Sequence, residues 1–451
     1  MDTKKLRQKI LDLAIRGKLV PQDPNDEPAS VLLERIRAEK ERLIKEGKTR
    51  LSGRQVKRSK KSASDTPHYE NIDFEVPPSW VITTLSDVFF MHAGKSISTT
   101  NISTEPNEEY RYLCVGGNGK RGYVCSFNTE GAHPIIGRQG ALCGNINYAE
   151  GQFYATEHAV IVDTYCETNT WWAYYFLIQL NLNQYATATA QPGLSVNTIG
   201  DVQIPLPPYE EQKRIVAAIE QWFTLIDTLE TAKEDLQTSI TQAKSKILDL
   251  AIHGKLVPQD PNDEPAIELL KRINPKFTPC DNAHLGKTYK VPGNWEWCKL
   301  PEICDYIFAG GDKPMEFNKS YTKEYHIPIY SNGIENDGLY GYTKHAVVEK
   351  PSITISARGT IGFTCIRNVP FVPIIRLITI IPKNEISINY IRYAIEVSIM
   401  PSEGSSIPQL TVPTIKRYSI PLPPLNEQLR IAAKIEELFA VLDEIQKSIE
   451  A

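Results

Sequence analysis

The stretch ILDLAIRGKLVPQDPNDEPA, residues 10–29, occurs a second time as ILDLAIHGKLVPQDPNDEPA at residues 247–266, with one substitution in twenty positions. The segment IPLPP also occurs twice, at residues 204–208 and 420–424, followed by EEQKRIVAAIE in one copy and NEQLRIAAKIE in the other. Repeats of this kind are typical of a structural unit that the chain contains more than once. The sequence therefore predicts one unit written twice.

Helices flank these markers. Gly17 and Gly254 each follow the last apolar position of a helical pattern, and a proline stands four residues later, so both glycines predict helix ends. The central region predicts a long coiled-coil helix, because its apolar residues alternate in steps of three and four. These residues are Ile215, Ile219, Trp222, Ile226, Leu229, Leu236, Ile240, Ala243, Ile247 and Leu250. The two chain ends each carry part of the same pattern.

The two sets of repeats have different separations along the chain. The proline markers lie 216 residues apart and the longer repeats 237, a difference of 21 residues or three heptads. On these offsets Ala451 corresponds to Asp235 and Met1 to Thr238, so the C-terminal helix followed by the N-terminal helix reproduces the central helix. We therefore expect a circularly permuted chain with an antiparallel helical pair, one member continuous and the other assembled from both ends. A pseudo-twofold axis would relate the halves.

Between the markers lie two stretches of matching length but different sequence, residues 80–206 and 295–422. Each contains short β-like runs, glycine-rich turns and a helical segment, which predicts a small α/β domain. The expected fold class is therefore α/β (α+β), with two small α/β domains separated by a long antiparallel two-helix coiled coil. The predicted division is a helical region 1–46, a basic linker 47–66, a first domain 67–205, a central helix region 206–275, a second domain 276–421 and a C-terminal helix 422–451.

Three local expectations complete this outline. The run after Pro28 predicts a second, solvent-facing helix. Residues 170–182 and 388–399 predict helices whose aromatic residues pack into the core. The apolar run 371–382 predicts one buried strand, because it is short and is interrupted by Pro373 and Arg376, which also excludes a membrane span.

Composition narrows the class of protein. The eight cysteines form no C-x-x-C pair and no zinc-finger spacing, and the charged N-terminus does not resemble a signal peptide, so a reduced, cytoplasmic protein is expected. The formal net charge of −4 disfavours a chain that grips nucleic acid alone, because Lys and Arg supply most non-specific affinity for phosphates. A DNA-binding role therefore requires partners.

Motifs of enzyme chemistry fail on inspection. Leu206-Pro-Pro-Tyr209 has leucine where amino-methyltransferases carry Asn, Asp or Ser, and Ala93-Gly-Lys-Ser96 has Phe89 where a phosphate-binding loop needs glycine. His158 and His345 fit core or surface positions better than metal or catalytic ones. The sequence therefore indicates no catalytic, cofactor-binding or metal-binding residue.

Polar loops carry the candidate DNA-reading residues. Arg reads guanine and Asn or Gln reads adenine through paired hydrogen bonds in the major groove, although each residue also fits an ordinary turn. Residues 67–205 contain thirteen acidic and five basic residues, so the few cations are expected on the face that approaches phosphate. The basic stretch 52–64 fits either phosphate contact or a solvated linker. The candidates are Asn118, Lys120, Arg121, Arg138 and Gln139 in the first domain, and Ser331, Asn332, Lys344, Arg358 and Thr360 in the second.

The two repeats, the IPLPP markers and the variable stretch before each marker together resemble the specificity subunit of type I restriction-modification enzymes over nearly the whole chain. The resemblance implies a non-catalytic subunit in which each variable domain reads one half of a split, double-stranded DNA target. It also implies that the helices act as a spacer and as the docking site for two modification subunits. Adenosylmethionine, and ATP and Mg where a restriction subunit is present, would be bound by the partners and not by this chain.

The spacer has a length that physics can estimate. About 36 helical residues at 1.5 Å each span roughly 54 Å, or about 16 base pairs. The alternative function is a coiled-coil scaffold whose paired domains bind proteins or glycans. The near-identical repeats suggest either recombination that exchanges recognition domains or identical scaffold demands on both copies.

Overall fold

The computed structural model describes residues 2–46, 75–140, 142–166, 168–186, 193–279, 289–399 and 410–450. The predicted basic linker, residues 47–66, lies outside these ranges. The chain divides into two compact units, Asp2–Ala232 and Lys233–Ala451. Along the described ranges, no helix combines the length and apolar character that crossing a membrane requires.

The first unit begins with two helices, α1 (Thr3–Ile15) and α2 (Ala29–Lys45). The Asp2 carboxylate accepts a hydrogen bond from the Lys5 backbone N–H at 3.0 Å and so caps α1. After α1 the chain reverses at Gly17, which has a φ of +66° and lies so close to Pro77 that a Cβ would approach within 2.5 Å. The predicted helix end at Gly17 is confirmed, and Gly254 has the same φ.

The prediction that the second helix faces solvent is wrong for one of its sides. Leu32, Leu33 and Ile36 of α2 are buried in the core of the first unit. These residues lie one, three and four positions apart, which is the spacing that places side chains on one helical face. The charged residues between them had concealed this apolar stripe.

The first small α/β domain is built on a six-stranded sheet in the order β2-β7-β5-β6-β3-β4, and a separate two-stranded sheet joins β1 to β8. The strands are β1 (Val81–Thr84), β2 (Phe89–Ala93), β3 (Tyr112–Gly116), β4 (Gly119–Val124), β5 (Thr129–Gly137), β6 (Ile146–Ala155), β7 (Ala159–Thr164) and β8 (Gln203–Leu206). The remaining helices are α3 (Leu85–Val88), α4 (Thr170–Gln179) and α5 (Val196–Gly200), with 3-10 turns at Thr99–Asn101 and Leu182–Tyr185.

Helix α4 covers the sheet with apolar side chains. Trp172, Phe176 and Leu177 are buried, and the Trp172 and Phe176 rings stack with centroids 5.3 Å apart. This confirms that the aromatic residues of the predicted helix 170–182 pack into the core, although α4 ends at Gln179 and a 3-10 turn follows.

The central helix α6 (Tyr209–Ile252) is unbroken for 44 residues and passes from one unit into the other. Ile215, Ile219 and Ile226 are buried as the heptad pattern predicts. Trp222, Leu229 and Leu236, which the pattern also places on the seam, are 46%, 43% and 43% exposed. That part of the prediction is wrong. The residues that follow Trp222 and Leu229, which are Phe223 and Glu230, are half-buried instead, whereas both neighbours of Leu236 are exposed.

The second unit repeats this plan with a different sheet. It contains a four-stranded sheet in the order β10-β16-β13-β14, a three-stranded sheet in the order β12-β11-β15, and the pair β17-β9. The strands are β9 (Glu296–Lys299), β10 (Cys304–Ala309), β11 (Ile327–Tyr330), β12 (Leu339–Thr343), β13 (Ser352–Ile355), β14 (Thr364–Arg367), β15 (Val372–Pro373), β16 (Ile378–Pro382) and β17 (Ser419–Leu422). The helices are α7 (Ala266–Ile273), α8 (Leu300–Ile303), α9 (Ile388–Ile399), α10 (Val412–Ile415) and α11 (Leu425–Glu450), with a 3-10 turn at Glu335–Gly338.

The prediction of a single strand over residues 371–382 is wrong. The run forms two strands, β15 and β16, which belong to different sheets. Ile375 and Arg376 between them adopt φ values of 52° and 62°, and two successive residues in the left-handed conformation interrupt the extended chain. The predicted helix 388–399 coincides with α9.

The helical pairing confirms the circular permutation. In the first unit, Arg7 of α1 contacts Asp227 of α6 at 2.5 Å, and Gln22 after α1 contacts Glu211 at 2.5 Å, so these two segments run antiparallel. In the second unit, α6 itself takes the place of α1. Its Lys244 contacts Asp443 of α11 at 2.5 Å, and the following Gln259 contacts Glu427 at 2.5 Å. These partners differ by the offsets of 237 and 216 that separate the two sets of repeats.

Candidate nucleic-acid interface

Three loops meet at one end of the first sheet: the β3–β4 turn, the loop after β5 and the β6–β7 turn. Main-chain hydrogen bonds join them, from Thr156 N–H to the Val115 carbonyl at 2.9 Å and from Arg138 N–H to the His158 carbonyl at 3.1 Å. The side-chain amide of Asn147 also donates to the Gly117 carbonyl at 3.1 Å. The loops therefore form one fixed surface although they are far apart in sequence.

These loops, together with Ile97 and Thr99, line an open cavity of about 510 Å³. Asn118, Arg121 and Gln139, three of the five residues predicted for this domain, line it. Gly117 allows the close approach of the walls, since a Cβ there would lie 2.7 Å from the His158 carbonyl oxygen. The structure thus brings together candidates from two separate loops.

The two predicted cations near the start of β4, Lys120 and Arg121, are both exposed, but their contacts differ. The aliphatic stem of Arg121 lies over Gly116, where a Cβ would come within 2.7 Å of Arg121 Cδ. Lys120 Nζ donates to the Tyr123 hydroxyl at 3.0 Å and lies 4.6 Å from the centre of that ring. This hydrogen bond raises the pKa of Lys120.

Arg138 and Gln139 also border a second depression of about 440 Å³, formed with residues 193–197. The Arg138 carbonyl accepts a hydrogen bond from Leu194 N–H at 2.8 Å, which fixes the backbone there. Gln139 lines both depressions and is exposed.

In the second domain, Asn332 holds three loops together. Its amide nitrogen donates to the Ile375 carbonyl at 2.7 Å, and its amide oxygen accepts from Ala357 N–H at 2.8 Å. Ser331 N–H donates to the Gly338 carbonyl at 2.8 Å, so Ser331 sits in the same loop cluster. The two polar ends of the Asn332 side chain are thus occupied by backbone groups.

The other second-domain candidates differ in exposure and in charge balance. Arg358 is exposed beside Gly359, which has a φ of +69°. Thr360 is half-buried, and its hydroxyl has no hydrogen-bond partner among the described residues. Lys344 forms ion pairs with Glu316 at 2.9 Å and Glu324 at 2.7 Å, and these raise its pKa.

Sequence reasoning missed the third loop of the first-domain cavity. Thr156, Glu157 and His158 line it, and His158 Nε2 lies 3.4 Å from Glu157 Oε1. A search restricted to cations and amides passes over a glutamate in an acidic domain. Across the described ranges, no group of three or more His, Cys, Asp or Glu side chains could hold a metal ion.

A separate polar cluster lies on the strands of the same sheet. Asp163 of β7 contacts His133 of β5 at 3.0 Å and His92 of β2 at 3.2 Å. Burial acts to raise the pKa of Asp163, but the two histidines outweigh it and lower that pKa to about 2. Burial likewise acts to lower the pKa of His133, but the hydrogen bond to Asp163 and further contacts raise it.

Each unit also contains a buried joint that ties its domain to its helices. In the first unit the Glu211 carboxylate accepts hydrogen bonds from Trp80 Nε1 at 2.8 Å and from Gln22 Nε2 at 2.5 Å. Beside it, Arg214 forms an ion pair with Asp26 at 2.5 Å. Burial raises the pKa of Glu211, although its two hydrogen bonds act to lower it.

The joint of the second unit is equivalent residue by residue. Glu427 accepts from Trp295 Nε1 at 2.9 Å and from Gln259 Nε2 at 2.5 Å, and burial raises its pKa. Arg430 pairs with Asp263 at 2.7 Å. Five contacting residues therefore recur with the same partners in both units.

Comparison with known proteins identifies a family and several relatives that this chain resembles. The family model described as the type I restriction modification DNA specificity domain matches residues 77–238 and 292–451. The EcoprrI specificity subunit of Escherichia coli is 42% identical over 167 residues, which cover 37% of this chain and 41% of that protein. The EcoAI specificity subunit of Escherichia coli is 25% identical over an alignment that covers 98% of this chain and 90% of that protein.

Two solved structures have a fold similar to that of this chain. A chain from a study of complex assembly and conformational transition of the type I R-M system has a TM-score of 0.55 at 18% identity, covering 83% of this chain and 93% of its own length. The HsdS subunit from Thermoanaerobacter tengcongensis has a TM-score of 0.50 at 17% identity with the same coverage. Since the family model matches both halves, the chain belongs to the family of type I restriction-modification specificity subunits and is a DNA-recognition subunit.

Proposed function

We propose that this chain is the non-catalytic, sequence-reading subunit of a type I restriction-modification complex, and that each domain reads one half of a bipartite DNA target. The observation that carries the proposal is the pair of equivalent joints. Glu211 and Glu427 each fix a domain to a matched helical pair, while the domains themselves differ in sheet and sequence. A constant anchor with a variable domain suits a reader of two different half-sites.

The ten predicted residues remain our candidates for the DNA-reading loops. Residues Asn118, Arg121 and Gln139 have the strongest support, because they border one cavity and are exposed. Asn332 would act by holding its loops in place, and Lys344 would contact phosphate in exchange for its present carboxylate partners. The six-part division of the chain, from region 1–46 to helix 422–451, is retained as part of this proposal.

The helices supply a plausible docking surface for two modification subunits. Leu225 and Leu229 of α6 are 49% and 43% exposed, and the equivalent residues of α11, Val441 and Ile445, are 53% and 40% exposed. Residues four positions apart lie on one face of a helix, so each pair forms an exposed apolar patch that a partner would cover. Two equivalent pairs, one in each unit, suit two copies of the same partner.

Partners would also supply what this chain lacks. Its net charge of −4 is unfavourable for a lone DNA binder, so the modification subunits would contribute the positive charge that closes around the duplex. They would bind adenosylmethionine, and a restriction subunit, where present, would bind ATP and Mg. The complex would act on DNA in the cytoplasm.

Selection from a random duplex pool tests the proposal. The full chain, assembled with its modification subunits, is expected to enrich a split motif with an unread spacer. Methylation mapping of the source genome should show the same motif with methyladenine in each half. A coiled-coil scaffold that binds proteins or glycans would enrich no motif and leave no such methylation.

The docking surface has its own control. The double variant L225D/L229D should lose one modification subunit from the complex, and V441D/I445D should lose the other, as measured by mass in solution. The matched variant K233D, on the same helix, should retain both partners. Retention of both subunits by all variants would contradict the assignment of this surface.

A further inference from the structure

The cavity of the first domain contains polar groups that the fold leaves unused. Thr156 is fully buried, and its hydroxyl has no hydrogen-bond partner among the described residues. Oε2 of Glu157 is also buried without a partner there, although the side chain as a whole is 39% exposed. Buried polar groups are nearly always paired, and leaving one unpaired costs free energy. Both residues line the cavity, so its wall carries two polar groups for which the described residues provide no partner.

The chemistry of the wall is divided into acceptors and donors. Glu157 offers a carboxylate that only accepts hydrogen bonds when ionised, whereas Arg121 only donates. Thr156 can do both. Because Gly116 and Gly117 carry no side chains, the Arg121 stem and the β6–β7 turn lie close together across the cavity. The cavity is therefore lined by both an acceptor, Glu157, and a donor, Arg121.

A C·G base pair fits this arrangement better than the other pairs. In the major groove cytosine presents its N4 amino group as a donor, and the paired guanine presents O6 and N7 as acceptors. Adenine also presents an amino group, but the neighbouring N7 acceptor would face the carboxylate unfavourably. Phosphate repels a carboxylate, and a hydrogen bond from the amino group of a base would compensate for that repulsion if the cavity faces DNA.

We propose that this cavity is a base-reading site in which the Glu157 carboxylate accepts a hydrogen bond from the N4 amino group of a cytosine, while Arg121 donates to the paired guanine. The proposal rests on the proposed function, because it assumes that the first domain reads DNA. It assigns a specificity-determining role to a glutamate outside the ten residues predicted from the sequence.

Selection from a random duplex pool, with the complete complex, tests this role through two variants. E157A is expected to lose the preference for cytosine at one position of one half-site by about 5- to 150-fold, with the other half-site unchanged. E157Q, which both accepts and donates, is expected to shift that position toward adenine. The control E150A removes an exposed carboxylate of β6 in the same domain and should leave the motif unchanged.

Each outcome decides the matter. A motif that stays the same in E157A and E157Q would overturn the proposal, as would a uniform loss of affinity at every position or a half-site that requires no cytosine. Thermal melting of each variant shows whether it folds. If E157A does not fold, E157Q still tests the role of Glu157, because it keeps the shape of the side chain. If the unaltered complex enriches no split motif, the proposed function fails; if it does and the variants match it, only the role of Glu157 fails.

Discussion

The first recognition domain joins six strands into one sheet, whereas the second distributes its strands between a four-stranded and a three-stranded sheet. Their charges differ as well, since residues 67–205 contain five basic residues against thirteen acidic ones and residues 276–421 contain sixteen against thirteen. The joints below them use the same residues with the same partners. The difference teaches that the anchor is fixed by packing, while the domain above it is free to change surface and sheet.

Equivalence of the joints predicts the largest effect. W80A and W295A should each lower the free energy of unfolding of their own unit by about 3–5 kcal/mol, because each removes a buried ring and a donor to a buried glutamate. Hydrogen exchange resolved by peptide measures the two units separately. The control W222A, at a position 46% exposed, should cost less than about 0.5 kcal/mol. Losses that differ by more than about 2 kcal/mol between the two joints would contradict their equivalence.

A smaller effect should distinguish the first domain. D163N removes the carboxylate between His92 and His133 and should destabilise the first unit by about 1–3 kcal/mol near pH 6, leaving the second unchanged. The raised pKa of His133 gives stability that is present below pH 6.5 and is lost as the pH rises through that pKa. The lowered pKa of Asp163 gives stability that is present above pH 3.8 and is lost as the pH falls toward about 2.

Denaturant unfolding of the first unit from pH 2 to pH 8 checks this pattern. The unaltered chain should show a stability plateau between about pH 4 and pH 6.5, with losses on both sides. D163N should flatten both slopes. Equal pH dependence in the two proteins would show that the cluster contributes nothing to stability.

The smallest effect concerns the helical pairs. R7A and K244A remove equivalent cations that contact Asp227 and Asp443, and each should cost less than about 1 kcal/mol because the carboxylates are exposed. The cost of R7A should be the larger, since Arg7 also contacts Glu230 at 3.2 Å. Double-mutant cycles with D227N and D443N measure each pair. A coupling above about 2 kcal/mol in either pair would mean that the surface contact carries the helical packing.

Sequence alone was sufficient for what is local or repeated. The glycine stops, the unbroken central helix and the circular permutation follow from spacing, because each depends on residues close in sequence or on a direct comparison of two copies. Sheet order was not accessible, since the pairing of β3 with β6 and of β5 with β7 is decided by long-range contacts. The left-handed residues Ile375 and Arg376 were equally hidden, because no glycine marks that turn.

Of the candidate site, the sequence predicted only the side chains that donate hydrogen bonds. The search for cations and amides found Asn118, Arg121 and Gln139, which share a cavity. It could not show that the Asn332 amide is bound to two backbone groups, because its partners lie 25 and 43 residues away. It also passed over Glu157, since only the folded loops reveal a carboxylate oxygen without a partner among the described residues in a cavity that Arg121 also lines.

Because the two copies of the long repeat are nearly identical, either copy could pair with either helix that follows an IPLPP marker. The order in which the ribosome makes the segments favours the correct pairs. The contacts that close the first unit join Arg7 to residues as far along as Glu230, and at that point of translation the second copy of the long repeat has not been made. Glu211 can therefore meet Gln22 but not Gln259. The contact between Lys244 and Asp443 becomes possible only 213 residues later, after roughly 10–40 s of elongation. A first unit that folds in this order has engaged Gln22 by then, which leaves Gln259 as the partner of Glu427.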